Sequence, residues 1–224
     1  MKKRIRPPRR CGREICGGRR IDVKMKELVV YLHGMGGSAA ESEHYKPLFA
    51  GADVIGFDYK AQTPWEAKTE FPPFFANLRK KYGRMTLVAN SIGAYFAMHA
   101  LADEKPDLAF LISPVADMEN LITGMMAAEG VTESELRRRG VIPVRHGGRL
   151  SWEYLCYARC NPLYWDAPTH ILYGENDALV PFSSVAELAR RTGAELTVMP
   201  GGGHWFHTPE QMRFLDEWIK NRLV

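Results

Sequence analysis

The chain has 224 residues, 46% hydrophobic and 25% charged, proportions that suit one soluble domain with room for a sizeable core. No apolar run approaches the roughly 18 residues that a membrane-crossing helix needs, so a helical membrane span is not expected. The net charge of +4 is uneven: residues 1–20 hold nine Lys or Arg against one Glu, +8, and the rest holds 21 basic against 25 acidic residues, −4. The basicity therefore belongs to the first segment. Its Arg, Pro and Gly cannot bury enough surface to offset the entropy of ordering. Residues 1–24 are expected to be a disordered basic tail or an extension upstream of a start near Met25, and 25–224 one domain. Nucleic acid is not an expected partner of that tail. The basic start has no apolar follow-on of the signal-peptide kind, so the cytoplasm is the expected location. Cys11/Cys16 and Cys156/Cys160 lack C-x-x-C spacing and are expected as free thiols.

Strands and helices then alternate. A strand over 27–32 ends at His33-Gly34, and a helix over 42–50 follows. A second strand spans 53–57. A helix within 64–82 is interrupted or started at Pro72-Pro73 and closed by Gly83. The third strand, 85–89, is followed by a helix over 92–101, and the fourth strand spans 108–112. The fifth and sixth strands, 169–173 and 195–199, are each followed by a helix, over 183–191 and 208–222. The last helix has Thr208 as cap, Pro209 at its first position and Gln211 in a capping box. Strands that are apolar throughout and separated by helices imply an α/β fold: a mostly parallel, six-stranded or slightly larger sheet with helices on both faces. Between the fourth and fifth strands, about 115–166, a structureless loop would be unusually long, so helices are expected there. Met118, Leu121, Ile122, Met125 and Met126 form one apolar helical face. Further helices start at Thr132-Glu133-Ser134-Glu135 and at Ser151-Trp152.

Ligands of such sheets bind at the carboxyl ends of the strands, and the chemically useful residues fall there. His33-Gly34-Met35-Gly36-Gly37-Ser38 follows the first strand and Ser91 the third. Gly174-Glu175-Asn176-Asp177 follows the fifth, and Gly201-Gly202-Gly203-His204 the sixth. At Ser91 a strand turns directly into a helix between the small residues Ala89 and Gly93, which makes a sharp, strained elbow that exposes the hydroxyl. A plain N-cap serine is the bland alternative.

Ala89-Asn90-Ser91-Ile92-Gly93 resembles the nucleophile elbow of the α/β-hydrolase family, G-x-S-x-G, with Ala in place of the first Gly. The chain order Ser91, Asp177, His204 is also that family's order. The resemblance covers about residues 26–224. It implies a nucleophile at Ser91, a general base at His204 and an orienting acid at Asp177. It also implies an oxyanion hole from the backbone N–H groups of Met35 and Ile92, and a helical lid inserted after the fourth strand. His207 is a rival base, and Glu175 and Asp117 are rival acids. Met118, Leu121, Ile122, Met125 and Trp152 either line an apolar substrate pocket beneath the lid or only dock it on the core. Arg137-Arg138-Arg139 reads as a solvated helix face. Neither metal-ligand spacing nor a phosphate-binding glycine loop is present, so no cofactor is expected. The expected activity is serine hydrolysis of a small carboxylic ester or thioester through an acyl-enzyme. A lactonase, amidase or C–C hydrolase of the same fold, or a non-catalytic binding protein, stays open.

Overall fold

Six parallel strands run through the centre of the protein in a computed structural model, which describes residues 26–145 and 148–223. The basic segment 1–24 lies outside the described residues. The strands are β1 (Glu27–Leu32), β2 (Ala52–Gly56), β3 (Arg84–Asn90), β4 (Leu108–Ile112), β7 (Thr169–Gly174) and β8 (Glu195–Met199). Their spatial order is β2-β1-β3-β4-β7-β8, and every pairing is parallel. Alternate residues of one strand enter two separate cores because the side-chain period is two. Leu28, Val30 and Leu32 of β1 join one apolar cluster, with Phe71 and Phe75 of α1 (Pro64–Arg79) and Val185 and Leu188 of α6 (Phe182–Thr192). Val29 and Tyr31 join the other, with Leu215 and Trp218 of α7 (Pro209–Lys220). Helices therefore cover both faces, and the sheet's upper edge is left to the loops.

Local chemistry accounts for the helix starts. Thr63 caps α1 by accepting from Glu66 N–H, with Pro64 at the first position. Thr208 and Gln211 form a capping box on α7. Two expectations need correcting. The helix after β1 is a 3₁₀ helix over Ala39–Tyr45, begun by a Ser38–Glu41 capping box, not an α-helix over 42–50. Helix α1 also runs unbroken through Pro72 and Pro73, because Ala67, Phe71 and Phe75, one turn apart, are all fully buried.

The segment between β4 and β7 carries α3 (Met118–Glu129), α4 (Glu133–Arg139) and α5 (Trp152–Cys160). It also carries an antiparallel hairpin, β5 (Val141–Pro143) with β6 (Arg149–Ser151), which the sequence pattern did not suggest. Leu136, Leu150 and Leu155 of this insert are buried in the same cluster as α2 (Ile92–Ala100). The insert thus sits on the α1–α2 face of the sheet.

Candidate active site

Strand β3 enters α2 through Ser91, whose φ of 51° and ψ of −117° are sterically costly for any residue with a side chain. The close packing around it explains the small neighbours. A Cβ at Gly93 would fall 2.4 Å from the His33 carbonyl oxygen, and one at Gly34 would fall 3.3 Å from Ser91 Cβ. Ala89 is fully buried. The elbow is therefore clamped against the loop after β1.

His204 arrives from the loop after β8. Its Nε2 lies 2.9 Å from Ser91 Oγ, and its Nδ1 lies 2.7 Å from Asp177 Oδ2. Asp177 Oδ1 accepts from the N–H groups of Leu179 at 2.8 Å and Val180 at 2.9 Å. The carboxylate side chain is fully buried, and these bonds to its charged form offset the burial. A carboxylate facing Nδ1 fixes the proton there and leaves the Nε2 lone pair toward Ser91. Glycines make the meeting of the two loops possible. A Cβ at Gly174 would fall 2.4 Å from the Gly203 carbonyl oxygen, and Asn176 N–H donates to Gly202 O at 2.7 Å.

The rival residues are bonded to other groups, although His207 lines the cavity beside Ser91. Glu175 Oε2 accepts from Gly201 N–H at 2.8 Å and so braces the histidine loop. Asp117 caps α3, accepting from Asn120 N–H at 2.9 Å. His207 is exposed, and its Nδ1 lies 2.8 Å from the carbonyl oxygen of Trp205.

Ser91 opens on a cavity of about 560 Å³ whose walls include Met35, Asn90, Trp205, Phe206 and Met212. Met35 is there through its loop, with its side chain 80% exposed. Ile92 opens α2, where the first-turn N–H groups have no acceptor within the helix. The apolar face of α3 lies apart from this cavity. Met118 and Ile122 are buried in the core, and Leu121, Met125 and Trp152 pack against it. Those five residues dock the insert, and the walls beside Ser91 come from the loops after β1 and β8 instead. Two contributors had gone unread: Tyr59, whose hydroxyl donates to His33 O at 2.6 Å, and Tyr31, which donates to Glu41. Ser38-Ala39-Ala40-Glu41 carried a legible capping-box spacing, but neither tyrosine had a local signal. Among the described residues no three His, Cys, Asp or Glu side chains are grouped to hold a metal, and no helix is long and apolar enough to cross a membrane.

A sequence model described as the alpha/beta hydrolase family matches residues 29–217. No curated protein matches the chain. Among solved structures, Est1E from Butyrivibrio proteoclasticus is similar with a TM-score of 0.72 and 17% identity, over 91% of this chain and 89% of that one. Mouse alpha/beta hydrolase domain-containing protein 10 gives a TM-score of 0.68 and 20% identity, over 88% and 89%. The thioesterase domain from the curacin biosynthetic pathway gives 0.57 and 16%, over 88% and 91%. At such identities the likeness is one of fold. The family match runs from β1 into α7, and with it the chain belongs to the alpha/beta hydrolase family.

Proposed function

We propose that the protein is a serine hydrolase that cleaves carboxylic esters or thioesters through an acyl-enzyme. The observation that carries this reading is the continuous contact from Ser91 Oγ to His204 Nε2 and from His204 Nδ1 to Asp177. A serine hydroxyl is almost never ionised near neutrality, so it needs a base in contact with it. His204 takes the proton as Oγ attacks the carbonyl carbon. The developing oxyanion is met by the N–H groups of Ile92 and Met35, the first of them at the positive end of α2. Protonated His204, held by Asp177, then gives its proton to the departing alcohol or thiol. Water activated by the same imidazole releases the acid. The cavity walls from Trp205, Phe206 and Met212 suit an apolar group of modest size. Esterase and thioesterase names among proteins of this fold agree with acyl transfer.

The test is labelling with a fluorophosphonate probe beside hydrolysis of p-nitrophenyl esters of rising chain length. Wild type is expected to label and to turn over short and medium esters, and Ser91→Ala to do neither. Labelling that persists in Ser91→Ala would move the nucleophile elsewhere. An unlabelled, inactive wild type would leave a binding protein.

A further inference from the structure

Tyr31 has no part in the steps above, yet it lines the cavity onto which Ser91 opens, together with Met35. It sits on β1, 1% exposed, with its ring stacked on Tyr45 at 5.1 Å. The hydroxyl donates to Glu41 Oε2 at 2.5 Å, and Glu41 Oε1 accepts from Ser38 N–H at 3.0 Å. The carboxylate therefore lies beneath the turn that carries Met35: a Cβ at Gly37 would fall 2.7 Å from Glu41 Oε1. On the elbow side, Asn90, the residue before the nucleophile, lines the same cavity. Burial, with Tyr45 and Glu41 nearby, holds the Tyr31 pKa far above the ordinary tyrosine value, so the group stays a donor at every working pH.

The loop needs such a tether. Gly34, Gly36 and Gly37 leave its backbone little intrinsic preference, and Gly36 already has a φ of 76°. Tyr59 fixes the start of the loop through His33 O; Glu41 fixes its end through Ser38. Oxyanion donors work only when aimed within a few tenths of an ångström. We propose that Tyr31 and Glu41 are positioning residues that hold the Met35 N–H in register with the Ile92 N–H, across the elbow. This rests on the serine-hydrolase reading.

A donor that acts only on the developing oxyanion supports kcat and not substrate binding. On p-nitrophenyl acetate, Tyr31→Phe and Glu41→Ala are expected to lower kcat about tenfold or more, with KM within about twofold of wild type. Glu41→Gln keeps an acceptor for Ser38 N–H and a polar partner for Tyr31, and is expected to recover most of the lost rate. The pH profile of kcat should stay in place. Unchanged kcat, or a rise in KM alone, in folded Tyr31→Phe and Glu41→Ala would overturn the proposal while the hydrolase reading stands. If Tyr31→Phe fails to fold, Glu41→Ala, an exposed side chain, decides it alone. A wild type without esterase activity would overturn the reading, and this proposal with it.

Discussion

At the scale of single residues, the site is held by strain and by the absence of side chains. Ser91 is one of two non-glycine residues with positive φ among the described residues, and the other, Ser113, ends the neighbouring strand. Strain of this kind costs on the order of 1–3 kcal/mol and persists because Ser91 N–H donates to Ile112 O at 2.9 Å and Val115 N–H donates to Ser91 O at 3.3 Å. Two substitutions separate strain from chemistry, since both remove the hydroxyl. Ser91→Gly relieves the backbone and Ser91→Ala does not. Ser91→Gly is therefore expected to be the more stable by about 1 kcal/mol in urea unfolding, despite the larger entropy of glycine in the unfolded chain. Equal midpoints, or a more stable alanine variant, would mean that the elbow relaxes without its hydroxyl. Much at this scale was legible in the sequence. A small-residue elbow, a strand-end Asp and a Gly-flanked His are local patterns. The tyrosines behind the loop were not legible, because Tyr31 and Glu41 meet through tertiary packing that no spacing announces.

At the scale of elements, local propensity and core packing compete, and α1 records the contest. Pro72 and Pro73 cannot donate to the carbonyls of Lys68 and Thr69, and a proline inside a helix costs roughly 3 kcal/mol. The helix nevertheless continues, because Phe71 and Phe75 bury their rings completely against Phe57 at centroid distances of 5.2 and 6.2 Å. Pro73 faces solvent, so Pro73→Ala restores a helix bond without disturbing the core. It is expected to stabilise the protein by about 1–2 kcal/mol, the helix gain less the entropy that proline removes from the unfolded chain. Thermal unfolding would show it, and a lower Tm would mean that Pro73 itself is needed for docking. The sequence reading failed here for the same reason: a proline pair is a local signal, and the aromatic periodicity that overrides it acts only once the sheet is present. The hairpin β5–β6 was missed because three-residue strands carry too little pattern to read. The parallel sheet was legible because its central strands are mostly apolar runs, as burial on both faces demands.

At the scale of the whole molecule, the insert meets the sheet domain through an interface that is not purely apolar. His99 of α2, 8% exposed, lies edge-on to Tyr95 of its own helix at 4.5 Å and to Tyr157 of α5 at 5.7 Å. Its Nε2 and the hydroxyls of Tyr154 and Tyr157 are buried without partners, and Lys68 of α1 lies over the Tyr157 ring at 5.5 Å. Burial, helped by Lys68, depresses the His99 pKa to about 4 from 6.5. The folded protein thus keeps His99 neutral where the unfolded chain already binds a proton. Stability from this group is complete above about pH 6.5, falls as pH drops toward about 4, and levels off below it. The loss is at most about 3 kcal/mol over that window. His170 on β7 is lowered in the same direction by burial, opposed by Glu195, and adds a smaller share. Carboxylates such as Asp53, lowered by Tyr82 and Lys26, lose their partners only below the ordinary carboxylate range, so they do not mask the effect. His99→Phe fills the same aromatic site without a titrating group. Urea unfolding from pH 7.5 to 4.5 is expected to show a steep decline for wild type and a much shallower one for His99→Phe. Parallel curves would place the acid sensitivity outside this seam.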